Sequence, residues 1–184
     1  MDHVADQYRR VARSFTELVE GVSLDDWDRP SPCEGWTARD VVGHLAEWVP
    51  AFFADAGGPT LSTGPSVDID PVGAWHSLDT GIQDVLDQPA LAAREINHQR
   101  VGQHRFDEAI GRFVLGDVLV HTWDIGRATG QDVTLDPAVV HDMLAGMEPL
   151  DDVLRSSGQY GPRVEVPADA DEQTRLLAFT GRRP

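Results

Sequence analysis

Asp117 and His121 stand four residues apart in Gly116-Asp117-Val118-Leu119-Val120-His121-Thr122-Trp123-Asp124. On an α-helix, residues at that spacing share a face one turn apart, so a carboxylate and an imidazole can reach a single ion. The stripe Ile110, Val114, Asp117, His121, Asp124 keeps the period of a buried helix face. Three polar groups therefore fall where apolar ones belong. A buried carboxylate without a partner costs several kcal/mol, and a coordinated cation would remove that cost. The spacing alone also suits a solvated helix face, so the chemistry needs a third donor. His44 is the best placed, at the edge of the stripe Val41, Leu45, Trp48, Phe52; a helix-edge histidine bonded to a neighbour is the plainer reading of it. Asp124 and Arg127 follow His121 at i+3 and i+6. They either form a local ion pair or leave Asp124 to act in the site, hydrogen-bonding a ligand or the substrate.

The remaining histidines read as bystanders. His3 is terminal, and His76 lies off the centre of its stripe. His98 and His104 fall in an irregular segment at a spacing that fits no helical chelate, and His141 follows a helix start on an exposed side. Cys33 is the single cysteine, so no intrachain disulfide and no all-cysteine zinc site exists. It is expected to be a small buried hydrophobe with a structural role.

Composition narrows the classes of partner. The 184 residues carry 31 acidic against 15 basic side chains, a formal charge of −16, and every base is arginine. Without lysine there is no Schiff-base nucleophile and no Walker-type phosphate loop. The acidic excess argues against a surface for nucleic-acid backbones. No apolar run approaches the ~18 residues of a membrane span, and the N-terminus lacks a secretory signal pattern. A cytoplasmic protein is expected.

Helices must position these residues. A stripe at Val4, Tyr8, Val11, Phe15 and Leu18 predicts a helix from about Asp2 to Glu20, closed by Gly21. Residues 21–36 hold two prolines and two tryptophans and read as an ordered loop. Thr37 and Asp40 form a capping-box variant that opens a second helix, which Pro50 should kink near its end. A loop spans 56–69, and Asp70-Pro71 opens a third helix reaching about Gln88. Residues 89–103 read as loop with a possible extended piece, and a fourth helix ends near Gly130. Asp136-Pro137 starts a fifth, and a short helix covers about Asp171 to Thr180. The expectation is one all-α domain over 1–184, a four-helix bundle over about 1–155 with a helical tail over 156–184.

Three stretches carry a family likeness: Pro32-Cys33-Glu34-Gly35-Trp36 running on to His44-Leu45, the run Asp117 to Gly130 with its His121-Thr122-Trp123-Asp124, and the ending from Val164 to Arg182. Together they resemble the actinobacterial metal-binding proteins related to the N-terminal domain of mycothiol-dependent maleylpyruvate isomerase, in the DinB-like superfamily. The resemblance implies a four-helix bundle with a divalent metal at one end of its core. It puts the metal on His44, Asp117 and His121, where the family's carboxylate is often the longer Glu. Three protein ligands leave one position open, the pattern of a catalytic site. Zinc suits two imidazoles and a carboxylate best, with nickel, iron or manganese also able to bind. The resemblance further implies that mycothiol occupies the open position and attacks an electrophilic substrate; Asp124, on the reading of the residues above, is the candidate catalytic group. The family's isomerase has a further C-terminal domain that helps bind substrate; only 54 residues follow Gly130 here, so that exact isomerisation is not expected. A metal- or small-ligand-binding module without turnover, and a metal-dependent hydrolase, are the alternatives.

Overall fold

The computed structural model describes residues 2–156 and 161–184, with side chains from Val4 onward, so the expectation for the His3 side chain lies outside the described residues. The chain divides into two compact units, Met1–Val133 and Thr134–Pro184.

The first unit is the helical bundle that the stripes imply, in keeping with the DinB-like fold that the resemblance leads one to expect. Its long helices are α1 (Asp2–Glu20), α2 (Ala38–Asp55), α3 (Pro71–Leu86) and, after the short α4 (Pro89–Ala92) and α5 (Phe106–Ala109), α6 (Leu115–Thr129). Helices α1 and α2 each pack against both α3 and α6. The core between them holds Tyr8, Val11, Phe15 and Val19 of α1, Val41, Leu45, Val49 and Phe53 of α2, Trp75, Leu78 and Ile82 of α3, and Val118, Leu119 and Ile125 of α6. The Trp75 indole N–H donates to Thr16 Oγ1 at 2.8 Å, and its ring meets Phe15 edge-on at 4.5 Å. That gives the large α1–α3 contact both a packed surface and a satisfied polar atom.

The helix starts follow the capping chemistry. Thr37 accepts from the Asp40 N–H while Asp40 accepts from the Thr37 N–H, so both halves of the capping box form. Asp70 caps α3 through the Gly73 N–H at 2.8 Å. Pro50 lies inside the helix, five residues before its end at Asp55; a proline removes one N–H donor without ending a helix whose apolar face continues to be buried. One expectation for α2 changes: Trp48 and Phe52, read as members of the core stripe, are half-exposed, while Val42, Val49 and Phe53 take the buried side.

The irregular segment resolves into an antiparallel hairpin, β1 (Glu95–His98) and β2 (Gly102–Arg105), with Glu95 opposite Arg105 and His98 opposite Gly102. The fourth predicted helix is interrupted. Between α5 and α6 a π-helical turn spans Ile110–Val114, where the Leu115 N–H reaches the Ile110 carbonyl five residues back. The extra residue rotates everything after it. Phe113, inside this turn, is half-exposed, while His121 and Asp124 are buried, as their place on the stripe implies. Gly126 permits the close return of the chain after α6, because a Cβ there would overlap Val133 Cγ2.

In the second unit α7 (Pro137–Met147), capped by Asp136, packs against α9 (Glu172–Phe179), capped by Asp171. A short α8 (Asp151–Ser156) lies between them in sequence. His141, exposed as expected, bonds Glu172 at 2.9 Å.

One buried group in the bundle is under tension. Tyr8 Oη and Asp79 Oδ1 are buried without a well-formed hydrogen bond, although Gln83 donates to Asp79 Oδ2 at 2.8 Å. Burial pushes the Asp79 carboxyl above its ordinary value, against the Gln83 and Tyr8 contacts and the nearby His76 that pull it down. A carboxyl raised on folding binds its proton more tightly in the folded chain, so its contribution is largest at low pH and declines as pH rises through the folded value. Asp79→Asn keeps the acceptor for Gln83 and adds a donor beside Tyr8. It should stabilise the protein at neutral pH by on the order of 1 kcal/mol and remove that decline, as read by urea unfolding across pH. A variant less stable than wild type at neutral pH would show that the charge is accommodated.

Candidate metal centre

Three elements bring the site together. Helix α2 supplies His44 and Trp48 one turn apart, and α6 supplies Asp117, His121 and Asp124. The loop before α2 supplies Cys33 and Trp36. That loop is shaped by backbone bonds: Ser31 N–H to Trp36 O at 2.8 Å, Trp36 N–H to Cys33 O at 3.0 Å and Ala38 N–H to Arg29 O at 3.0 Å. Gly35, at φ 78°, takes the left-handed position of the Cys33–Trp36 turn. Trp27, 3% exposed, anchors the loop in the core.

The Asp117 carboxylate is gripped from both helices. His44 Nε2 lies 3.1 Å from its Oδ2, the Trp48 indole N–H donates to that same oxygen at 2.9 Å, and His121 Nε2 lies 3.4 Å from Oδ1. The His121 ring, 4% exposed, therefore has one carboxylate on each nitrogen, because its Nδ1 meets Asp124 Oδ2 at 2.9 Å. Asp124 is fully buried and takes a second contact from Cys33 Sγ at 3.3 Å. Trp36 closes one side, 4.9 Å from the His44 ring and 5.9 Å from the His121 ring.

One ligand atom each from His44, Asp117 and His121 lie within 4.8 Å of one another, and so do those of Cys33, His121 and Asp124. The first group holds the three residues singled out in the sequence. Asp124 sits behind them, on the far nitrogen of His121. There it would hold the Nδ1 proton and leave Nε2 as the donor, the usual carboxylate–histidine support of a metal ligand. The Arg127 guanidinium, the other suggested partner of Asp124, lies over the Trp123 ring at 5.6 Å.

Cys33 departs from its expectation: it is half-exposed and bonded to Asp124 and His121 rather than buried among apolar groups. The turn at Gly35 swings the thiol toward α6, a placement that the local sequence does not encode. Trp48 and Trp36 were also missed as site residues. The available signal was the i+4 spacing of Trp48 from His44, which puts both on one helix face. Neither His98 nor His104 joins the ligand group: His98 Nε2 lies 3.3 Å from Asp55, and His104 Nε2 lies 2.9 Å from the Val101 carbonyl.

A family model, mycothiol maleylpyruvate isomerase N-terminal domain, matches residues 8–126, a segment that contains all five clustered residues. The chain belongs to this family. Two curated relatives, both uncharacterized proteins of Mycobacterium tuberculosis, one from strain CDC 1551 / Oshkosh and one from strain H37Rv, are each 26% identical over 186 residues. The alignment covers 95% of this chain and 95% of each relative. No solved structure matches the chain. Among the described residues of this maleylpyruvate isomerase N-terminal-type protein, no helix is long and apolar enough to cross a membrane.

The hydrogen bonds shift both central groups. Burial pushes the Asp117 carboxyl up, but His121 and His44 outweigh it and hold it well below its ordinary value. Burial pushes His121 down, but Asp117, Asp124 and Cys33 together raise it well above the ordinary imidazole range. The two carboxylates that flank His121 thus favour its protonated form when no metal is bound. The contribution of Asp117 to stability is full above the usual carboxylate range and is lost as pH falls through its depressed value. That of His121 is full below the usual imidazole range and is lost as pH rises through its raised value. In excess chelator, the urea midpoint should therefore fall as pH rises above the ordinary imidazole range, and His121→Gln should flatten that limb. A wild-type limb already as flat as the variant's would mean that His121 is neutral in the fold.

Proposed function

We propose that this protein binds one divalent cation through His44, Asp117 and His121 and uses it to activate a low-molecular-weight thiol for attack on an electrophilic small molecule. The observation that carries this reading is the set of three donors within 4.8 Å, drawn from two helices and backed by a buried carboxylate on His121. Two imidazoles and one carboxylate suit zinc best, with nickel, iron or manganese as competitors. Three protein donors leave room for a further ligand, as catalytic rather than structural sites do. The family's name points to mycothiol as the thiol. When bound, the cation lowers the pKa of a coordinating thiol and so provides a thiolate near neutral pH.

The chain's own residues do the rest. Asp124 fixes the tautomer and direction of His121, and the Trp48 indole holds Asp117 Oδ2 in place. Asp117 offsets one unit of the ion's charge. Trp36 lies across both imidazoles and keeps water from that side. Fully buried, Asp124 acts through His121 and is a positioning residue. The same reading puts the protein in the cytoplasm, where thiols are kept reduced.

Elemental analysis after zinc loading should find about one equivalent in wild type and little in His44→Ala or His121→Ala. Asp117→Asn should bind zinc weakly, and Asp124→Asn should retain it with affinity lowered about ten-fold. Equal metal in wild type and both histidine variants would remove the site. Tight zinc in Asp117→Asn with loss in Asp124→Asn would make Asp124 the ligand. In a conjugation assay with mycothiol and monobromobimane, zinc-loaded wild type should exceed the background rate and His121→Ala should not. Zinc binding without any thiol-dependent rate would leave a binding module.

A further inference from the structure

The aromatic residues of the bundle fall into two populations. Phe15, Phe53, Trp75 and Phe106 are fully buried. Trp36, Trp48, Phe52 and Phe113 are half-exposed, as are His98 and His104. The second population forms an unbroken series of ring contacts. It starts at His44, with Trp36 on one side at 4.9 Å and Trp48 on the other at 6.0 Å. From Trp48 it passes to Phe52 at 5.9 Å, then to His98 at 4.7 Å and to Phe113 at 5.7 Å. His104 ends it, 5.4 Å from Phe113.

This band is not where helical periodicity would leave apolar rings. Phe52 continues the α2 stripe past Pro50, and Phe113 lies half-exposed within the π-helical turn. Three of its polar groups are engaged: the Trp48 N–H with Asp117, His98 with Asp55, His104 with the Val101 carbonyl. What the band offers a ligand is ring faces and edges. They lead directly to His44, and the chain as a whole carries −16, which disfavours a polyanionic ligand.

We infer that the electrophile lies on this band and that it is a planar, uncharged conjugated molecule of the quinone class, not a small polycarboxylate. This inference rests on the thiol-activating reading above. A conjugated acceptor is flat at the carbon that the sulfur attacks, and an electron-poor ring stacks well on the electron-rich faces of Trp48 and Trp36. The addition balances without a redox partner. A sulfur–carbon bond forms as the acceptor's C=C π bond opens, and the proton lost from sulfur ends on the acceptor's oxygen or adjacent carbon.

The test separates binding from turnover. Duroquinone, a benzoquinone with all ring positions methylated, serves as a planar probe that does not readily accept thiols. Tryptophan quenching is titrated with zinc-loaded and with chelator-treated protein, in wild type, Phe52→Leu and Phe113→Leu, with thermal unfolding and zinc content followed in parallel. Wild type should quench saturably in both forms. Each variant should bind about five-fold more weakly, the worth of one aromatic contact, with zinc content unchanged, and fumarate should not compete. Linear, non-saturating quenching, unchanged affinity in both variants, or displacement by fumarate would overturn the proposal. So would variants that lose thermal stability yet bind as wild type, since the rings would then only seat the hairpin. Saturable quenching in a protein that fails to bind zinc would remove the metal reading and keep the band; zinc binding with linear quenching would do the reverse.

Discussion

A single imidazole held between two carboxylates governs the site. His121 is almost wholly inside the bundle, with Asp117 on one nitrogen and Asp124 on the other. Asp124 is fully buried and the Asp117 side chain 30% exposed; each keeps its partners, because leaving a buried charge unpaired costs about 3–5 kcal/mol, a large part of a domain's ~5–15 kcal/mol of stability. The requirement propagates outward. Asp117 draws His44 and Trp48 from α2, and Asp124 draws Cys33 from the preceding loop. The packing of α2 on α6 and the path of the Pro-rich loop are thereby tied to one ring.

A π-helical turn at Ile110–Val114 leads into α6, and Phe113, within that turn, meets the Phe52 ring at 5.7 Å. The polar triplet of α6 lies toward α2, where Asp117 meets His44 and Trp48. The aromatic band and the polar centre adjoin through the His44 and Trp48 rings.

The family match and the compact bundle coincide closely: residues 8–126 against Met1–Val133. Every residue of the cluster lies within both. The second unit, Thr134–Pro184, lies beyond the family match, and its α7 and α9 form a packed pair of their own. The site's own carboxylates meet imidazoles, an indole and a thiol.

Local sequence determined the elements whose signals are local. The Thr37–Asp40 box, the Asp70-Pro71 and Asp136-Pro137 starts and the first helix each rest on contacts within a few residues, and all of them form. The pair Asp117 and His121 was legible for the same reason, as one turn of one helix. His44 was suggested by its place on a stripe, but its 3.1 Å approach to Asp117 spans 73 residues and exists only because α2 packs on α6. Cys33, Trp36 and Trp48 show the limit most clearly. Periodicity assigns a residue to a face, not to a neighbour, and it fails wherever the backbone adds a residue, as at Ile110–Val114, or turns through a glycine, as at Gly35. The identity of the site's outer residues was therefore decided by tertiary structure, because hydrogen bonds between a loop and a helix some 90 residues apart carry no period in the sequence.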